Sequence, residues 1–536
     1  MDCKKAAWAG FLFFLLILAG CGPVEEDTEP LVDELDLGST IGSEAEVFAL
    51  EAVAVEGYSI VGGLHGTGSQ ECPSALRNYL EQYILRYLPK ADVEGMISSM
   101  DTAVVRVRGI MPAAVADSRR FDVKVESLPG TQTTSLVGGQ LYGVELRQAG
   151  RYNLGTKVLA EAEGPVYIDR IGDGADKRTG YVLGSGRVLD DYNISLHLKR
   201  PDHETAKMIQ DRLNGRFGSR TAKGMTRDIV VLQVPAGYQN QKRRFVTVLR
   251  QIYLKSNEQI EQQRISEHVR KLATSENKYR HEAALEAIGR ASIGKLSVLL
   301  NSSNEDVQFH VGRCLLNLGS DEGFKALSKM AMTDGHKWRL AALEAITTAG
   351  RRDDASAVAR ELLNDEDFDV RLAAYEQLRK LDDIAISQEM IGGRFLLEQL
   401  AQTPYKGVFV ARSGRPRVVL FGEPLYCERD LFVQSDDGEV TLNAIPGENG
   451  VTVIRKHPDR PNIAPIQIRT SYRLSDVIRV MCESPMANRE AGIRPGLGIS
   501  YSYATEILEK LCRADGVKAE FRAGKMAQVG EIVKPR

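Results

Sequence analysis

The sequence predicts an α+β protein, a strand-rich, multi-domain body interrupted by an all-α solenoid. Three observations carry that expectation. Runs such as Phe121-Asp122-Val123-Lys124-Val125 alternate apolar and polar residues, as half-buried strands do. Between Asn257 and Asp383 the pattern turns purely helical, and a hexapeptide recurs there letter for letter. A chain of 536 residues also exceeds what one hydrophobic core organises, so several domains are needed.

Composition narrows the function classes. Hydrophobic residues at 43% and charged residues at 26% exclude wholesale disorder and a polytopic membrane protein. Lys plus Arg total 69 against 72 Asp plus Glu, so no excess cation is available for phosphates and nucleic acid is not expected as a partner. Seven cysteines in this length are too few for a disulfide-stapled scaffold.

The first twenty residues read as a signal peptide. Lys4 and Lys5 precede the apolar run Phe11 to Ala19, which is too short for a comfortable membrane span. The run ends in Leu18-Ala19-Gly20-Cys21, which resembles a bacterial lipobox. Cys21 is therefore the expected lipidation site, because each buried acyl CH₂ contributes about 0.8 kcal/mol and several chains anchor stably. Gly22 follows instead of Asp, which resembles the pattern sorted to the outer membrane. Residues 22–51 hold ten Asp or Glu and no Lys or Arg. Such a segment buries little and repels itself, so 21–46 reads as an acidic tether.

The first body, 47–256, opens on Val53, Val55, Ile60 and Val61, strand-like before the glycine turn Gly62 to Gly68. A helix follows from Ser74, with Leu76, Leu80, Ile84 and their neighbours at helical spacing. Strands are expected at Ala103–Val107, Phe121–Val125, Gln140–Leu146, Val158–Glu163, Asn193–Leu198 and Asp228–Val234. A second helix, His203–Phe217, sets Ala206, Ile209 and Leu213 on one face and stops at Gly218.

In the helical block, 257–383, Ala283-Ala284-Leu285-Glu286-Ala287-Ile288 recurs as Ala341-Ala342-Leu343-Glu344-Ala345-Ile346. Related units start near Val307 and Val370, and acidic turns precede the inner helices. The pattern looks like HEAT-type repeats, whose stacked helix pairs bind proteins along an extended surface. A connector, 384–406, leads to a C-terminal region, 407–536, that begins β-rich with hairpins through Ser413-Gly414 and Asp437-Gly438. It closes with helices at Leu474–Cys482 and Thr505–Ala514 and a strand at Val517–Phe521.

Catalytic chemistry is not expected. Gly63-x4-Gly68-Ser69 approximates a phosphate-binding loop but carries Gln70 and no lysine before the serine. The eight histidines are scattered and form no HExxH, so neither a metal nor a cofactor is expected. Gly184-Ser185-Gly186 lacks the spacing of a nucleophile elbow. Beyond Cys3 and Cys21, five cysteines remain. In an oxidising compartment Cys482 and Cys512 are the first candidates for a disulfide, Cys427 the competitor, and buried free thiols the alternative.

Several segments in order resemble the flagellar basal-body P-ring protein family. The opening Gly57-Tyr58-Ser59-Ile60-Val61-Gly62-Gly63-Leu64-His65-Gly66-Thr67-Gly68 is similar to that family's G-Y-G-L-V-x-G-L-N-G-T-G. Phe121 to Ser127, Leu136-Val137-Gly138-Gly139-Gln140-Leu141, Glu163-Gly164-Pro165-Val166 and Asn214-Gly215-Arg216-Phe217-Gly218 match successive family segments. Arg412-Ser413-Gly414 to Gly422, Leu474 to Arg479 and Ile507 to Leu511 do so more loosely. The resemblance implies a non-enzymatic periplasmic protein that oligomerises into a homo-oligomeric ring around the flagellar rod, beneath the outer-membrane ring proteins. The lipobox and the helical block depart from the family pattern. Membrane attachment is then expected through the lipid anchor, and a protein partner on the solenoid. The alternative is an outer-membrane lipoprotein scaffold whose repeats recruit that partner. The candidate subunit-contact loops are Gly62, Gly63, His65, Gly66 and Gly68 in one segment and Gly138 and Gly139 in another.

Overall fold

The computed structural model describes residues 37–529 apart from 50, 88, 91, 117, 151–156, 173–175, 190–193, 457–463 and 486–495. Cys21 and the tether as far as residue 36 lie outside the described residues. Among the described residues no helix is long and apolar enough to cross a membrane.

Folded structure starts earlier than the expected boundary at 47. Thr40 caps the short helix α1 (Ile41–Glu44), its side chain accepting from the Ser43 N–H, and β1 (Ala45–Phe48) follows directly. Ile41 is fully buried and its N–H donates to the Ile252 carbonyl at 2.8 Å. The acidic composition concealed this, because two buried residues, Ile41 and Ala45, fix a segment that otherwise reads as solvated.

A closed six-stranded barrel comes next. Its strands are β2 (Val53–Gly62), β3 (Thr102–Met111), β4 (Arg120–Ser127), β5 (Gln140–Gln148), β6 (Ala160–Pro165) and β7 (Thr179–Val188). They close in the order β2-β3-β4-β7-β6-β5, which leaves no free edge. Helices α2 (Ser74–Tyr87) and α3 (Val93–Ile97) sit in the connection from β2 to β3. The alternation along β4 sends Val123 and Val125 into the barrel core beside Val105, Val107 and Val144. Strand β7 was not expected, since Gly180, Gly184 and Gly186 interrupt its apolar pattern. Those glycines admit neighbours: a Cβ on Gly186 would lie 2.7 Å from the Phe121 ring.

Strand β1 belongs to a second sheet, ordered β1-β8-β10-β9, with β8 (Ile194–Leu198), β9 (Ala222–Gly224) and β10 (Ile229–Leu232). Helix α4 (His203–Phe217) covers it as expected. Asp202 caps the Thr205 N–H, Ala206, Ile209 and Leu213 are buried, and Gly218 ends the helix at φ +114°. Helix α5 (Lys242–Arg250) packs Phe245, Val248 and Leu249 into the same core.

The helical stretch contains α6 (Glu258–Thr274), α7 (Lys278–Ile288), α8 (Ile293–Val298), α9 (Glu305–Asn317), α10 (Asp321–Met332), α11 (Arg339–Ala349), α12 (Arg352–Leu362) and α13 (Phe368–Lys380). Helices α7, α9, α11 and α13 touch in series, and α10 and α12 each pack between successive members. The acidic turns act as caps: Asn304 accepts from the Asp306 N–H at 2.9 Å, and Asp367 from the Asp369 N–H at 2.8 Å.

The expected connector 384–406 contains two strands. It supplies β11 (Ser387–Ile391) and β12 (Phe395–Leu400), which join β13 (Gly407–Val410) and β14 (Arg417–Phe421). A four-stranded sheet follows, β15 (Leu431–Gln434), β16 (Val440–Ala444), β17 (Val451–Arg455) and β18 (Ile466–Thr470). Helices α14 (Leu474–Cys482) and α15 (Tyr501–Arg513) fill the core between the sheets. The last strand, β19 (Glu520–Ala523), pairs with β13 and starts later than expected, because Val517 bridges Cys427 instead.

The candidate disulfide between Cys482 and Cys512 is not formed; all five described cysteines are free thiols, the alternative reading. Cys482 ends α14 inside the core, whereas Cys512 lies beside Cys427, whose partner in the bridge is the Val517 just past α15. Burial, followed by the neighbouring Cys512, pushes the Cys427 thiol up to about 12.

Candidate functional site

The two glycine segments singled out in the sequence meet at one end of the barrel. Thr67 locks them together: its carbonyl accepts from the Thr134 N–H at 2.9 Å, and its hydroxyl donates to the Ser135 carbonyl at 2.8 Å. The turn itself is held by Asp101, whose carboxylate accepts from the Gly66 N–H at 2.8 Å.

The candidate residues divide into two groups. Gly63, His65, Gly66 and Gly138 are exposed at the loop tips, all with positive φ. Gly62, Gly68 and Gly139 are buried and serve close packing. A Cβ on Gly68 would lie 2.0 Å from the Thr102 carbonyl oxygen, and one on Gly139 2.4 Å from Val61. Only the first group has surface to offer a neighbour.

Both loops line a cleft of about 1060 Å³ whose opposite wall belongs to the C-terminal region, including Arg455, Tyr501 and Tyr503. At its base the barrel and that region are joined by charges the sequence does not reveal. Arg170, 7% exposed, donates from Nε to Glu506 at 2.5 Å and from Nη2 to Asp437 at 2.8 Å. Its guanidinium lies 4.2 Å from the centre of the Tyr503 ring. The Tyr503 hydroxyl donates to Asp437 or Glu439, at 2.8 and 2.6 Å. Burial opposes the charge on Asp437, but Arg170 and the hydroxyls of Ser435 and Tyr503 outweigh it and hold the carboxyl below its usual range.

Further bonds extend the seam. The Ile168 N–H donates to the Ser502 hydroxyl at 2.9 Å, and Arg412 donates to Asp169 at 2.9 Å. Asp122 accepts from the Gly184 N–H at 2.6 Å and from the Gly414 N–H at 2.9 Å. Burial raises its pKa despite these bonds. Asp122 thus ties the middle of the barrel to the Ser413-Gly414 turn. The Ser413-Gly414 and Asp437-Gly438 turns were visible in the sequence, but not what they contact; Arg170 and Glu506 are 336 positions apart.

These groups bind each other, and the arrangement joins parts of the chain while presenting exposed loop tips. Among the described residues no group of three His, Cys, Asp or Glu side chains is placed to hold a metal ion.

Residues 41–267 match the family model described as Flagellar P-ring protein. Among curated relatives, the flagellar P-ring protein of Aquifex aeolicus is 30% identical over 201 residues, covering 34% of this chain and 52% of the relative. That of Albidiferax ferrireducens is 28% identical over 236 residues, 40% of this chain and 59% of the relative. That of Thermotoga maritima is 28% identical over 214 residues, 37% and 61%. The chain therefore spans only about half to three-fifths of the relatives it matches. Over 41–267 the matched segment contains the barrel, the second sheet and both glycine loops.

Proposed function

We propose that this chain, whose residues 41–267 carry a flagellar P-ring family region, is a structural subunit of the bacterial flagellar basal body. In this reading copies assemble head to tail into a periplasmic ring around the rod, in contact with rod and outer-membrane ring proteins. The family match over the barrel and second sheet is the observation that supports it. A ring closed by rotation needs two different surfaces on each copy and no catalytic pocket. The exposed tips Gly63, His65, Gly66 and Gly138 are one such surface. Cys21 anchors the assembly to the outer membrane by its lipid, and the HEAT-like helices project a surface for a further protein.

Electron cryotomography of cells lacking the gene tests the ring. The expected outcome is a basal body without its periplasmic ring; intact rings in motile cells would sink the proposal. A second reading, an outer-membrane lipoprotein scaffold, is favoured by one feature, the open helical face around Glu344. It predicts intact flagella and a lost partner when residues 257–383 are excised.

A further inference from the structure

The chain contains two Asn–Gly pairs, Asn214-Gly215 and Asn449-Gly450, and the fold treats them oppositely. Such a pair can react with itself, because glycine offers a backbone nitrogen with no Cβ beside it to shield the approach. The reaction needs the asparagine side chain free to swing back onto that nitrogen. Asn214 is denied that freedom. It lies in α4, where the following nitrogen is held in the helical ladder. Its side chain is also tied at both ends to Ala222: Nδ2 donates to the Ala222 carbonyl and Oδ1 accepts from the Ala222 N–H, each at 2.9 Å.

Asn449 differs. It is exposed in the turn between β16 and β17, outside any helix or strand. Among the described residues nothing hydrogen-bonds its side-chain amide. The glycine that follows is dictated by packing. Gly450 is buried with φ +142°, and a Cβ there would lie 2.1 Å from the Thr470 carbonyl oxygen of β18. No side chain fits at that position. The close approach that opens the β17–β18 pairing therefore also leaves the Gly450 nitrogen unshielded toward Asn449.

We infer that Asn449 is a site of spontaneous covalent modification, converted through a cyclic imide with Gly450 to aspartate and isoaspartate. The Gly450 nitrogen bonds to Asn449 Cγ and the Cγ–Nδ2 bond breaks. Nδ2 leaves as ammonia, taking the proton that the attacking nitrogen gives up. Water then opens the imide. Attack at Cγ breaks the new N–Cγ bond and leaves aspartate. Attack at the main-chain carbonyl carbon breaks the original peptide bond and reroutes the chain through Cβ and Cγ. No electrons are exchanged; a water enters and an ammonia leaves. Either product adds a carboxylate next to Glu448, which already pairs with Arg469. The rerouted form also carries an extra backbone atom into the turn that precedes the Val451–Thr470 pair.

The test follows both Asn–Gly pairs in one molecule. The full chain is incubated at mildly alkaline pH, digested in acid where the reaction stops, and the peptides carrying residues 214 and 449 are weighed by mass spectrometry. Asn449 should convert about tenfold or more faster than Asn214, the scale expected when one pair is free to align for attack and the other is held away from it. In chemical denaturant, where neither pair is held by the fold, the two rates should converge. Equal rates in the folded chain, no conversion at Asn449, or a difference that persists in denaturant overturns the inference.

Discussion

Two of the buried arginines that join regions of this molecule, Arg244 and Arg170, do so under different constraints. Arg244 lies between the second sheet and the helical block, bound to Glu282 and Glu286, both without solvent exposure. Arg170 lies between the barrel and the C-terminal region, bound to Glu506 and to the partly exposed Asp437. The first contact bridges about forty positions of continuous chain, the second 336. The acids of Arg244 depend mainly on arginine, with Arg313 and His310 assisting at Glu282. Glu506 has other donors, the Asp436 N–H at 2.7 Å and Lys510 at 2.9 Å. Without Arg244, Glu282 would keep Arg313 and His310, but Glu286 would keep only the neutral Tyr238 hydroxyl, whereas Glu506 without Arg170 would keep the cation Lys510.

Substitution tests this asymmetry. Arg244→Ala should produce the largest effect, a loss of about 3–5 kcal/mol, because Glu286 remains buried with no cation beside it and Glu282 loses one of its two arginines. Chemical denaturation measures it, and Trp338 fluorescence reports the helical block directly. Arg170→Ala should cost less, about 2 kcal/mol, since Glu506 keeps two donors. An equal or larger loss for Arg170→Ala would reverse the comparison.

Acid is the gentlest test. Glu282 is buried, and although burial raises its pKa, Arg244 and Arg313 depress it far below the ordinary carboxylate value. Asp437 is depressed by a smaller amount. A depressed carboxyl contributes stability above its unfolded pKa and loses it as pH falls through the folded pKa. On acidification below the usual carboxylate range, the Asp437 contribution is lost first and the Glu282 contribution only at still lower pH. Hydrogen exchange should accordingly rise around Ile168 before it rises around Phe245; the reverse order would contradict the contrast.

How much of this was legible in the sequence depended on whether a side chain reported its surroundings. The strand through Val123 and Val125 and the helix through Ile209 were legible because one face is apolar and the other wet. The glycine loops were legible as turns, but the division between exposed Gly138 and packed Gly139 depends on Val61, distant in sequence. Strand β12 was missed because both its faces are covered. Phe395, Leu396 and Leu397 run without alternation, and Glu398, which looks like a surface residue, is buried against Tyr375. The burial of Glu282 and Glu286 is hidden in the same way, since it shows only once the arginine that neutralises them is located.

The Arg170 contact also gives the molecule a mechanical property. From barrel to second sheet, through the helices to the C-terminal region and back by Arg170, the chain traces a closed circuit. A pull applied between the barrel and the C-terminal region divides between two parallel routes. One is the direct seam of short, stiff hydrogen bonds; the other is the longer path through eight helices. While the seam holds, it bears most of the load and the helices stay near rest. Once it parts, the covalent path takes up the whole strain, so the two regions separate without being lost to each other.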